Sequence, residues 1–208
     1  MITEEHHNLL STSLGIGREV LDIEIAALEN LRDRLNETVL KAVRIILNSR
    51  GKVITTGVGK SGFVAQKITA MLNSTGSPSV FLHPTEALHG DLGICAREDP
   101  VIMVSKSGTT EELLRLLPFF NEMGSPIIAL VGNKYSYLAE NSEVVLDVSV
   151  EREADPLALV PTTSCILAMA MGDVLASLLI KAKNYLSKDF ARVHPAGQLG
   201  KNLHLTVE

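Results

Sequence analysis

Val101-Ile102-Met103-Val104-Ser105-Lys106-Ser107-Gly108-Thr109-Thr110-Glu111-Glu112-Leu113-Leu114 reads as a strand, a tight turn and the start of a helix. Its first four residues are apolar without a break, as in a strand covered on both faces. Two acidic residues then precede a leucine-rich run, as at a helix N-terminus. A doubly covered strand feeding a helix is the building unit of an α/β parallel sheet. Outward from it, short apolar runs at 53–56, 79–82, 127–131 and 144–148 alternate with longer helical patterns. The prediction is an α/β fold with a single doubly wound, five-stranded parallel sheet and helices on both faces. Val20, Ile23, Ala27, Leu28 and Leu31, then Val39, Ala42, Ile45 and Ile46, recur at helical spacing. They predict two amphipathic helices within residues 1–50, separated near Asn36. Residues 51–208 then form the α/β core and a C-terminal helix and tail, all in one domain. Ligands of such sheets bind at the carboxyl ends of the strands, near the point where strand order reverses.

Composition narrows the function classes. The chain has 208 residues, 46% hydrophobic and 21% charged, with a net charge of -5, a globular and acidic balance that lacks the basic face a nucleic-acid binder needs. An anionic ligand must therefore be caught by a local site. The start, Met1-Ile2-Thr3-Glu4-Glu5-His6-His7, has neither a basic nor an apolar leader region, so the expected location is the cytoplasm. Residues 164–181 are nearly all apolar, but Gly172 and Asp173 interrupt them short of the roughly 20 residues that span a bilayer. A core or subunit-interface helix is expected there, with no membrane contact. Together with the N-terminal helices it implies an oligomer. Cys95 and Cys165 belong to no CxxC pair, which argues against a disulfide framework or structural zinc.

Two loops carry the chemistry. Gly57-Val58-Gly59-Lys60-Ser61-Gly62 precedes a helical stretch from Phe63 to about Leu72. Its glycines permit close backbone approach, and the helix start offers free N–H groups to an anion. The spacing also fits a dinucleotide fingerprint, but no Asp or Glu closes the second strand; a P-loop fails because Ile54 stands where its first glycine belongs. In the second loop, Ser105, Ser107, Thr109 and Thr110 surround Gly108 at a strand-to-helix turn. Four hydroxyls there make a nest for a phosphate monoester, where a plain helix cap needs one.

The ordered set of these motifs resembles the sugar isomerase (SIS) domain, and within it the D-arabinose 5-phosphate isomerases. Beyond the two loops it includes Ser74-Thr75-Gly76, His83-Pro84, His89-Gly90-Asp91-Leu92-Gly93, Glu153-Ala154-Asp155-Pro156-Leu157, Pro161-Thr162-Thr163-Ser164 and His194-Pro195-Ala196-Gly197-Gln198-Leu199-Gly200. The resemblance implies a flavodoxin-like fold and a homotetramer. It implies interconversion of D-ribulose 5-phosphate and D-arabinose 5-phosphate, the first step toward Kdo and lipopolysaccharide, with CMP-Kdo as a feedback inhibitor. Catalytic roles fall on Lys60, Glu112, Glu153 and His194. Substrate and phosphate contacts fall on Ser61, Ser105, Ser107, Thr110, Thr75 and His89. Lys106, Thr109 and Ala196 depart from many relatives, which have Asn, Glu and Gly there; the first two lie beside the phosphate and bear on substrate choice. Many relatives continue into paired CBS modules, whereas this chain stops at Glu208, so it is expected to be either a stand-alone catalytic domain or a truncated one.

An aldose-ketose isomerase needs a carboxylate base, an acid near the ring oxygen and a cation for the enediolate, with no cofactor or metal. Glu153 is read as the base, since partial burial in an irregular segment raises a carboxyl toward working pH. His194 opens the ring or shuttles the oxygen proton, and Lys60 steadies the enediolate. His89 and His194 are further expected to trap zinc as an inhibitor. The competing readings are an SIS isomerase of hexulose or heptose phosphates, or a non-catalytic sugar-phosphate-binding regulator.

Overall fold

A computed structural model describes residues 4–195. Helices α1 (Glu4–Asp33) and α2 (Glu37–Asn48) come first, parted at Asn36, whose side chain accepts the Thr38 N–H at 2.8 Å. Strands β1 (Val53–Gly57), β2 (Ser79–Phe81), β3 (Val101–Ser105), β4 (Ile127–Val131) and β5 (Val144–Asp147) follow the expected runs closely. Between them lie α3 (Lys60–Ser74), α4 (Pro84–Leu88), a 3-10 turn (Asp91–Ile94), α5 (Glu111–Leu114), α6 (Leu117–Met123) and α7 (Tyr137–Glu140). Helices α8 (Thr163–Ala182) and α9 (Ser187–Val193) close the described chain. Helix α3 begins at Lys60, three residues earlier than the sequence suggests, because Gly59 turns the chain at φ 57°.

All strand pairs are parallel, in the order β2-β1-β3-β4-β5. Alternate residues feed two cores. Ile102, Val104, Ile128, Leu130, Val144 and Leu146 pack with α2, α3 and α8 on one face. Ile54, Val101, Met103, Ile127, Ala129 and Val131 pack with α4, α6 and α7 on the other. The covering of both faces is why the strands read as unbroken apolar runs.

Helix α8 has a mean hydropathy of 1.9 and is long and apolar enough to cross a membrane, yet half of it is buried in the domain. It lies on α3, where a Cβ at Gly172 would stand 2.5 Å from Ile68 Cγ1. Its start is beside the loops after β3 and β5; its end is at the opposite edge of the sheet, where Lys183 Nζ donates to Gly76 O at 2.9 Å and Ser77 Oγ at 2.7 Å.

Candidate active site

Strand order reverses between β1 and β3, so the loops that follow these two strands diverge and leave a crevice at their carboxyl ends. In the β1 loop a Cβ at Gly57 would sit 2.7 Å from Ser61 O, and one at Gly62 would sit 2.8 Å from Gly57 O. Only bare backbone lets α3 start this close to its strand. Lys60 and Ser61 are thereby delivered to the crevice, Lys60 exposed and Ser61 half-buried.

The β3 loop is a self-bonded turn. Ser105 is buried and its Oγ accepts the Gly108 N–H at 3.0 Å while lying 3.0 Å from Thr110 Oγ1. Ser107 Oγ accepts the N–H and the hydroxyl of Thr109 at 3.2 and 3.0 Å, which leaves its own O–H to donate outward. Gly108 holds φ 67°, the left-handed region that favours glycine. Ser105 therefore shapes the turn, while Ser107 and Thr110 offer hydroxyls. Glu112, exposed at the start of α5, has no hydrogen bond or ion pair among the described residues.

Glu153 departs from expectation. Glu151 and Arg152 are solvated, but Glu153 is only 2% exposed. Its carboxylate accepts Lys106 Nζ at 2.6 Å, Ser164 Oγ at 2.5 Å, Ser164 N–H at 3.1 Å, Thr162 N–H at 2.9 Å and Thr162 Oγ1 at 3.3 Å. Burial alone pushes the carboxyl up, as the sequence reading expects. Lys106 and the donors at the start of α8 outweigh it and hold the group down to about 2. A carboxylate so occupied is a poor general base, and it caps α8 instead.

A cavity of about 200 Å³ at these strand ends is lined by Lys60, Ser61, Lys106, Pro161, Ser164 and Cys165, among others, while Ser105, Ser107, Thr110, Glu112 and Glu153 lie outside its lining. The Cys165 thiol there is pushed up by burial and by the Glu153 charge, against the opposing pull of Lys60 and Lys106. Residues 45–178 match the SIS domain family. The chain belongs to the SIS domain family. It is 47% identical over 193 residues to the arabinose 5-phosphate isomerase KdsD of Francisella tularensis, covering 91% of this chain and 59% of that protein. It is 43% identical over 190 residues to the arabinose 5-phosphate isomerase GutQ of Escherichia coli K12, covering 91% and 59%. The structure of c3406 from E. coli CFT073 in complex with arabinose 5-phosphate is similar at TM-score 0.85 and 36% identity, over 89% of this chain and 98% of that one. The chain thus spans about three-fifths of the length of the curated relatives it matches.

Three expected site residues lie away from the loops after β1, β3 and β5 in this SIS domain. Thr75 caps the far end of α3, at the amino edge of the sheet, and its hydroxyl is taken by Met71 O at 2.7 Å and Leu72 O at 3.2 Å. A helix returning antiparallel to its strand carries its C-cap away from the ligand edge, so Thr75 is structural. His89 is exposed at the end of α4, on the loop after β2, outside the cavity lining. His194 follows α9, which leaves from the amino edge; its ring stacks on Phe190 at 3.8 Å and its Nδ1 lies 2.9 Å from Phe190 O. Residues 196–200 of its motif lie outside the described residues. The expected zinc trap is not assembled within one chain: the topology sets His89 and His194 at opposite edges of the sheet, and the described residues contain no group of three metal-binding side chains. Conversely, sequence reasoning gave no role to Thr162 or Ser164, although Pro161-Thr162-Thr163-Ser164, hydroxyls ahead of an apolar helix, was the available signal.

Proposed function

We propose that this SIS domain is the catalytic part of an aldose-ketose isomerase that interconverts D-ribulose 5-phosphate and D-arabinose 5-phosphate through an enediol. The observation that carries the reading is the convergence, at one switch point, of Lys60 and Ser61 with the hydroxyl turn 105–110. The names of the 47% and 43% identical relatives support it. The turn takes the phosphate through Ser107, Thr110 and its backbone, with Ser105 fixing the shape. Lys60 stabilises the enediolate oxygen as charge develops there. Glu112, whose lone pairs are unoccupied, takes the C1 proton, exchanges it with solvent at its exposed carboxyl and delivers a solvent-derived proton to C2 of the enediol, while a proton passes from the C1 oxygen to the C2 oxygen. Glu153 holds the site rather than the proton.

His194 cannot serve the Lys60 of its own chain, because the short helix before it, about 10 Å long, cannot return along the roughly 30 Å of α8. In this reading a second copy supplies His194 for ring opening. Exposed Leu14, Leu21 and Ile25 on α1 support an assembly, read as a homotetramer in the cytoplasm. The same reading places the reaction ahead of Kdo and lipopolysaccharide synthesis, with CMP-Kdo as feedback inhibitor. The test is conversion of D-ribulose 5-phosphate in deuterated water. Wild-type protein is expected to form D-arabinose 5-phosphate with deuterium at C2. Glu112→Gln is expected to abolish exchange and Glu153→Gln to retain it. Absence of conversion overturns the activity; exchange surviving in Glu112→Gln overturns the base.

A further inference from the structure

Lys106 is a charge for which the steps above have no use. Its backbone is fixed, since Gly132 N–H donates to Lys106 O at 3.0 Å. A Cβ at Gly132 would stand 2.7 Å from that oxygen and 3.5 Å from Lys106 Cγ, so the lysine stem lies across bare backbone at the end of β4. From there the ammonium reaches Glu153 Oε1 at 2.6 Å.

The two partners of this pair are unequal. The Lys106 side chain is 48% exposed and that of Glu153 is 1%. Glu153 is saturated, with four other donors from Thr162 and Ser164. Lys106 is not: an ammonium has three N–H groups, and among the described residues only Glu153 accepts one. Lys106 lines the cavity together with Lys60 and Ser61, and its chain neighbours Ser105 and Ser107 belong to the phosphate turn. Glu153 fixes one N–H of the cation, and the side chain that carries the other two lines the cavity. A lysine serving only to neutralise Glu153 has no need to be half-exposed in the wall of a cavity.

We propose that Lys106 is a substrate-contacting, specificity-determining residue: held over Gly132 by Glu153, its ammonium binds an oxygen of the phosphorylated sugar seated on the 105–110 turn. This rests on the reading of the cavity as a sugar-phosphate site and adds to it a second cation. Lys60 enters from the loop after β1 and Lys106 from the loop after β3, so a phosphate monoester is selected over the neutral sugar from two sides. Glu153 is then a positioning residue acting through Lys106.

The experiment measures inorganic phosphate affinity by calorimetry, KM and kcat for D-ribulose 5-phosphate, and Tm, in wild type, Lys106→Gln, Lys106→Arg and the double variant Lys106→Gln/Glu153→Gln. The double variant removes the cation without leaving a buried carboxylate unpaired. Loss of one charge-assisted hydrogen bond is expected to weaken phosphate binding and raise KM by about tenfold to a hundredfold in Lys106→Gln and in the double variant. Lys106→Arg is expected to recover most of that loss. A fall in Tm with phosphate affinity and KM unchanged makes Lys106 a brace only and overturns the proposal. Should wild type convert no sugar phosphate while its phosphate affinity still depends on Lys106, the isomerase reading fails and the assignment of Lys106 stands.

Discussion

Glu153 accepts from Ser164 twice, once from its backbone N–H at 3.1 Å and once from its hydroxyl at 2.5 Å. A residue from the loop after β5 thus satisfies the first turn of α8, which has no side-chain cap of its own. Glu153→Gln turns an amide N–H toward either the Lys106 ammonium or the backbone N–H groups of Thr162 and Ser164, none of which can accept it. It is expected to lower stability by about 1–3 kcal/mol, at about 2–4 °C of Tm per kcal/mol for a chain of this size. Thermal unfolding followed by circular dichroism reads this directly. A Tm equal to wild type means the cap is not holding α8.

The same carboxylate sets an acid limit. Its folded value of about 2 lies below the ordinary 4.5, so its contribution to stability is fully present above about pH 4.5 and is lost as pH falls toward 2. Denaturant titrations between pH 5 and 2 are expected to show wild type losing stability more steeply than Glu153→Gln, which has no proton to take up at that position. Parallel slopes in that window contradict the assignment.

Gly108 tests the phosphate turn. At φ 67°, a Cβ there would lie 1.9 Å from Ser136 Oγ and 2.4 Å from Ser136 Cβ. Gly108→Ala therefore combines a left-handed backbone cost of about 1–2 kcal/mol with overpacking. The expected outcome is a lower Tm and weakened inorganic phosphate binding, measured by calorimetry. If only Tm falls, the turn does not hold the anion.

The sheet was legible because burial on both faces leaves a local mark: each strand is a short apolar run ended by Gly, Ser or Pro. The turn 105–110 was legible for a similar reason, since its residues bond chiefly to one another. Glu153 was not. Its neighbours Glu151 and Arg152 are solvated, and what inverts its expected behaviour, Lys106 at the end of β3 and the start of α8, is distant in sequence. Thr75 was misplaced because a motif gives order along the chain, while the edge of the sheet a residue occupies depends on which way the preceding helix runs.

Helix α8 is fastened at both ends, to Glu153 at one and through the adjoining Lys183 to Gly76 and Ser77 at the other. It behaves as a beam whose length and phase are both fixed. One residue added between the fastenings advances the helix by about 1.5 Å and turns it by about 100°. Either Ser164 would swing off the carboxylate or Lys183 would leave the far rim, and Gly172 would rotate away from Ile68. The ligand-side rim is thus gauged from the opposite rim, and insertions or deletions should be excluded from α8 far more strictly than substitutions of its exposed side chains.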